Sequence, residues 1–187
     1  NTIINAGWRR DGVKGGSVYV EKNALVSVFN NLMVNCKFKV QTPKWGTASI
    51  TDGCATESVI DYNYYASGPQ QSTLTQDVTN GTTTAYLGYT LTNKSVYPQY
   101  VDTHSIVSAS AGDEATNPQF VNFPYSTNPL TSYTYDDSWD FHVNSGSPVL
   151  VGAYNGSDSN MQPYFASTGL TLNGNTYKSD IYKNYFG

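Results

Sequence analysis

Three stretches, Asn1-Thr2-Ile3-Ile4-Asn5-Ala6, Asn31-Leu32-Met33-Val34-Asn35-Cys36 and Asn63-Tyr64-Tyr65-Ala66-Ser67-Gly68, align without gaps at spacings of 30 and 32 residues. Each starts at an Asn and runs through a short β-prone segment. Asn suits a corner because it tolerates left-handed backbone angles and its amide bonds to nearby backbone. The run before the second copy, Leu25-Val26-Ser27-Val28-Phe29-Asn30, matches Ser58-Val59-Ile60-Asp61-Tyr62-Asn63 at a spacing of 33. Another strand, Ser17-Val18-Tyr19-Val20-Glu21, follows Gly15-Gly16. A recurrence of about 30 residues, with short strands meeting at Asn corners, predicts strands stacked coil upon coil into parallel sheets. Corner amides stacked in this way bond to one another.

Outward from these repeats, the chain changes character between about 67 and 92. Gly68-Pro69-Gln70-Gln71-Ser72 and Thr79-Asn80-Gly81-Thr82-Thr83-Thr84 are polar and turn-rich, an excursion from the coil. A β-run restarts at Asn117-Pro118-Gln119-Phe120-Val121-Asn122. Trp139-Asp140-Phe141-His142-Val143 leads into Gly146-Ser147-Pro148-Val149-Leu150-Val151-Gly152, and Asn173-Gly174 marks a two-residue hairpin turn. The expected fold class is all-β, a right-handed parallel β-helix of few coils with a C-terminal β-rich cap. Coils occupy 1–138, and the cap, which covers the last coil and its unpaired sheet edge, occupies 139–187.

Composition agrees with this reading. The 187 residues include 16 Tyr and 16 Gly but only 13% charged side chains. Tyr, Val, Thr and Phe favour strands, and Asn, Gly, Ser and Pro favour turns. No segment approaches the roughly 18 apolar residues of a membrane span. Low charge and abundant Tyr, Thr and Asn suit an extracellular or bacterial cell-surface location, with any targeting peptide outside this chain. Cys36 and Cys54 are too few for a disulfide framework. They pair if the protein is exported, or else act as small buried hydrophobes.

Asn1 to Val40, with Gly7-Trp8-Arg9-Arg10, Gly15-Gly16-Ser17-Val18-Tyr19-Val20-Glu21-Lys22 and Asn30-Asn31-Leu32-Met33-Val34-Asn35-Cys36, resembles the late coils of pectate-lyase-like bacterial β-helix proteins. Asn117-Pro118-Gln119-Phe120-Val121 and Asp140-Phe141-His142-Val143-Asn144-Ser145-Gly146-Ser147-Pro148-Val149 resemble the closing segment of that group. The resemblance implies earlier coils upstream in a parent protein, and self-association through the exposed solenoid end where those coils are missing. It says little about activity, because the superfamily spans lyases, hydrolases and adhesins.

Charge is divided unevenly. Through Lys44 seven basic residues (Arg9, Arg10, Lys14, Lys22, Lys37, Lys39, Lys44) face two acids, a net of +5. The remainder carries −9, and the whole −4. Trp8, Arg9, Arg10, Lys14, Lys37, Lys39, Trp45, Tyr64 and Tyr65 are therefore the candidate carbohydrate-binding residues. Aromatic faces pack on sugar rings while Arg grips carboxylates or sulfates. The polymer expected is an acidic polysaccharide. Nucleic acid is not expected of a chain that is acidic overall and lacks a nucleic-acid motif.

Catalytic signatures are absent. The chain lacks the paired aspartates, Gly-His-Gly and Arg-x-Lys of pectin hydrolysis, a phosphate loop and a Ser-nucleophile motif. His104, two residues from Asp102, is a general-base candidate; a surface histidine is the plainer reading. Asp136-Asp137-Ser138-Trp139-Asp140 offers oxygen ligands suited to Ca2+, but its spacing matches no calcium loop, so no cofactor is expected. Three functions follow from the sequence: a surface-exposed or secreted β-helix that binds or presents carbohydrate, the C-terminal part of a polysaccharide lyase or glycoside hydrolase whose active site lies partly upstream, and a structural or adhesive solenoid.

Overall fold

The computed structural model describes residues 1–7, 17–20, 24, 26–36, 40–41, 59–68, 77–79, 82–84, 104–124, 135–155, 170–172 and 174–177. The strands are β1 (Thr2–Ile4), β2 (Val18–Tyr19), β3 (Ser27–Val28), β4 (Leu32–Val34), β5 (Val40–Gln41), β6 (Val59–Ile60) and β7 (Tyr64–Ala66). They continue as β8 (Asp77–Thr79), β9 (Thr82–Thr84), β10 (Ile106–Val107), β11 (Phe120–Asn122), β12 (Asp140–Val143), β13 (Leu170–Leu172) and β14 (Asn175–Tyr177). The described chain is strand-rich. Its helical segments are single 3-10 turns at Glu114–Thr116 and Pro148–Leu150, capped by Asp113 and Ser147. None of the described helices is long and apolar enough to cross a membrane.

The three repeated stretches become β1, β4 and β7, which with β10 form a four-stranded parallel sheet in the order β1-β4-β7-β10. Ile3 lies opposite Met33, and Met33 opposite Tyr65, the register of the gapless alignment. Two further parallel ladders join β2 to β5 and β3 to β6. Strands of the three sheets recur in the same order along the chain. In the β3–β6 ladder, however, Ser27 pairs with Val59 and Val28 with Ile60, a spacing of 32 and not 33. Side chains alternate faces along a strand, so a slip of one residue would turn every core side chain outward. The ladder keeps the 32-residue step between Asn31 and Asn63.

Alternation divides the core in two. Met33, Tyr65, Val20, Cys36, Val40 and Ile60 form a cluster to which all three parallel sheets contribute. Leu32, Val34, Tyr64 and Ala66 point to the other face, where Phe120, Val149 and Ala153 pack on them. The central strands are thus buried on both sides, as parallel sheets require. Residues 147–154, in the stretch assigned to the cap, lie against this second face.

Two columns of asparagine run through the corners. Asn1 Nδ2 donates to Asn31 Oδ1 (3.1 Å), and Asn31 Nδ2 donates to Asn63 Oδ1 (2.9 Å). One strand-length away, Asn35 Nδ2 donates to Asn5 Oδ1 (2.7 Å). Asn5, Asn30 and Asn35 adopt φ of 55°, 52° and 48°, the left-handed conformation that Asn accepts at little cost.

The remaining described strands form antiparallel pairs. β8 and β9 pair with Thr79 opposite Thr82 and Asp77 opposite Thr84, inside the polar excursion. β13 and β14 pair with Leu172 opposite Asn175, and Gly174 before β14 has φ 77°. In the β11–β12 pair, Phe120 lies opposite Val143 and Asn122 opposite Asp140. The two closing motifs meet here: Asn144 donates to the Gln119 carbonyl through both its backbone N–H and its side chain, and the Ser147 hydroxyl donates to the Pro118 carbonyl.

Candidate functional site

Of the residues expected to hold carbohydrate, Trp8, Arg9, Arg10, Lys14, Lys37, Lys39 and Trp45 lie outside the described residues. Tyr64 and Tyr65 are described, and each is 1% exposed. They sit on β7, between β4 and β10, with one ring in each core cluster. Neither ring can present a face to a sugar, which corrects the expectation for these two. Their apolar bulk fills the core on both sides of the sheet. The same burial, with a contribution from the Asp113 charge, pushes the Tyr64 phenol up to about 12.

Exposed aromatic surface is found instead on β11, β12 and the turn before β12. Five rings form a continuous series: Tyr135 against Trp139 (5.5 Å between centroids), Trp139 against Phe123 (5.1 Å), Phe123 against Phe141 (5.0 Å), and Phe120 against both phenylalanines. Most contacts are edge-to-face, the arrangement the ring quadrupoles favour. The series is anchored at Phe120, which is 8% exposed in the second core cluster. It rises to Phe141 at 41% and Tyr135 at 66%. Its inner end is core packing, and its outer end is a surface that a flat apolar ligand face can cover. Sequence reasoning placed strands here but missed the surface, although aromatic residues recur from 120 to 141.

A second constellation lies at the corner between β6 and β7. Asp61 is buried, and its Oδ1 accepts the backbone N–H groups of Tyr62 (2.8 Å) and His104 (2.9 Å). Its Oδ2 lies 2.7 Å from His104 Nδ1. A carboxylate only accepts, so the neutral imidazole carries its proton on Nδ1 and Nε2 is the basic nitrogen. The Tyr62 ring stacks on the imidazole at 4.2 Å and 4° between planes, and Tyr62 itself is left-handed at φ 54°. The His104 side chain remains 42% exposed. A histidine oriented by a buried carboxylate is suited to proton transfer. Asp102, the partner expected for His104, lies outside the described residues. The 43 residues between Asp61 and His104 left no local signal for this pair.

The acidic cluster at 136–140 forms an exposed turn entering β12. The Ser138 hydroxyl and backbone N–H hold the Asp136 carboxyl below its usual range. Asp140 is likewise held low by the backbone N–H and imidazole of His142. Among the described residues no three His, Cys, Asp or Glu side chains are grouped to hold a metal. Cys36 is buried, with its thiol donating to the Ile3 carbonyl at 3.4 Å; Cys54 lies outside the described residues.

Comparison with known proteins gives no matching family model, no matching curated sequence and no matching solved structure.

Proposed function

We propose that this chain is part of a right-handed parallel β-helix, secreted or displayed on a cell surface, that binds carbohydrate through the aromatic series on β11 and β12. The recurring order of the three parallel ladders supports the β-helix reading, as do the Asn columns and the resemblance of the sequence to pectate-lyase-like proteins. Right-handedness follows from the general rule for parallel crossovers. Exposed Phe141 and Tyr135, linked through the half-buried Trp139, carry the binding reading, because aromatic faces are the natural partners of sugar C–H surfaces.

Affinity electrophoresis through gels cast with neutral, acidic and amino polysaccharides tests this. Retardation in at least one gel, lost in Tyr135→Ala and Phe141→Ala, is the expected result. Unretarded migration in all of them would refute it. An acidic polymer bound through Arg9, Arg10, Lys14, Lys37 and Lys39 would instead be insensitive to these two substitutions.

The Asp61–His104 pair favours a second reading, a polysaccharide lyase or glycoside hydrolase in which His104 moves a proton and Asp61 orients it. Polysaccharide cleavage that disappears in His104→Ala, in a folded protein, would support it. Unchanged cleavage in that variant would sink it.

A further inference from the structure

The carbohydrate reading leaves the charge of the sugar open, and the surroundings of the aromatic series bear on it. From His104 through Asn155 the sequence contains five acids, Asp113, Glu114, Asp136, Asp137 and Asp140, and no Lys or Arg. Two of them, Asp136 and Asp137, are exposed between Tyr135, the most exposed ring of the series, and the half-buried Trp139. The turn is fixed: Trp139 N–H donates to the Asp136 carbonyl at 3.0 Å, and Ser138 N–H donates to Asp136 Oδ1 at 2.9 Å. Asp140 and His142 alternate with Phe141 along β12 and so project to the opposite side, away from the rings.

We infer that the aromatic series selects a cationic carbohydrate, a polymer of amino sugars with free ammonium groups, over an acidic polysaccharide. The inference rests on the carbohydrate reading and adds the ligand class at the same surface. An aromatic ring presents a negative face, to which an ammonium is attracted and a carboxylate is not. Asp136 and Asp137 add formal negative charge in the exposed turn that joins two of these rings, and charge-assisted hydrogen bonds from an ammonium satisfy it. A uronate polymer laid on the same rings would bring like charges together without a described cation to separate them. The hydrogen bonds that hold the Asp136 carboxyl low keep it ionised in mildly acidic solution, where amino sugars are fully charged.

The test is calorimetric titration of the full chain with three probes: glucosamine oligomers, N-acetylglucosamine oligomers and oligogalacturonate. Glucosamine oligomers should bind about tenfold or more tighter than either other probe, a gap of about 1.4 kcal/mol. That preference should shrink with added salt and vanish in the Asp136→Asn plus Asp137→Asn double variant. These exposed substitutions leave the fold intact, which circular dichroism verifies. Equal binding of charged and acetylated oligomers, unaltered in the double variant, overturns the charge selection and leaves the carbohydrate reading standing. Tighter binding of oligogalacturonate does the same. Binding of none of the three overturns both.

Discussion

Asn30 and Tyr154, 124 residues apart, hold each other by two reciprocal hydrogen bonds: Asn30 Nδ2 donates to the Tyr154 carbonyl (3.0 Å), and Tyr154 N–H donates to Asn30 Oδ1 (2.8 Å). The side-chain amide takes the place of a backbone partner, so the Tyr154 N–H and carbonyl are satisfied without a neighbouring strand. Phe29 packs edge-on to the Tyr154 ring and Tyr62 packs tilted against it, which closes the contact.

Replacing Asn30 with Ala removes both bonds and places Ala at φ 52°. Leaving the Tyr154 backbone groups unsatisfied should cost about 1–3 kcal/mol, and the left-handed Ala about 1 kcal/mol more. The expected readout is local: amide exchange in 147–154 should quicken well before exchange in β4 and β7. Uniform acceleration across the chain would contradict this role.

Asn31 is the middle rung of its column. It accepts from Asn1 and donates to Asn63 Oδ1 and the Phe29 carbonyl. Asn31→Ala should cost about 2–4 kcal/mol in urea unfolding, because Asn63 Oδ1 and the Phe29 carbonyl lose the amide that donates to them and Asn1 Nδ2 loses its acceptor. Asn1→Ala, at the exposed end of the column, should cost less than about 1 kcal/mol. Equal losses would mean the column does not act through burial.

Gly68 is excluded from carrying a side chain by the second column. A Cβ there would stand 1.9 Å from Asn35 Oδ1 and 2.9 Å from Asn35 Cβ. Gly68→Ala should therefore destabilise by about 1–3 kcal/mol, and Asn35→Ala should partly rescue it. Additive losses in the double variant would remove the steric explanation.

Burial pushes the Cys36 thiol up to about 12, from 9.0 when unfolded. Because the folded value is the higher one, this contribution to stability is complete below about pH 9 and declines as pH rises toward 12. Tyr64, raised from 10.0 to about 12, acts with the same sign. Cys36→Val should flatten the loss of stability between pH 9 and 12 without abolishing it. Iodoacetamide at pH 8 should leave Cys36 unmodified until the chain unfolds. Rapid native labelling would show that the thiol is accessible.

The register of β1, β4 and β7 was legible because the Asn corners and the apolar runs repeat together. The β3–β6 ladder was read one residue out, since Leu25 to Asn30 and Ser58 to Asn63 are equally β-prone at either offset. Only the choice of which side chains enter the core decides between them. Tyr64 and Tyr65 looked like surface aromatics because tyrosine is ambivalent between core and surface. Tyr64 is buried because Phe120, Val149 and Ala153 cover its face of the sheet, and Tyr65 because strands of all three parallel sheets close around it; neither contact leaves a mark in the local pattern. The Asp61–His104 pair was hidden for the same reason: its carboxylate comes from another turn of the chain, while the nearer Asp102 drew the reading.

The columns also show how this architecture absorbs inserted sequence. The steps from Asn1 to Asn31, from Asn31 to Asn63 and from Asn63 to Ser105 span 30, 32 and 42 residues, yet each lands on the next strand of one sheet. Closing a 42-residue step in place of a 30-residue one costs only about 0.3 kcal/mol of chain entropy. The corner after β7 is therefore a natural graft site, where a foreign loop or small domain can be spliced in while the hydrogen-bonded column beneath keeps count.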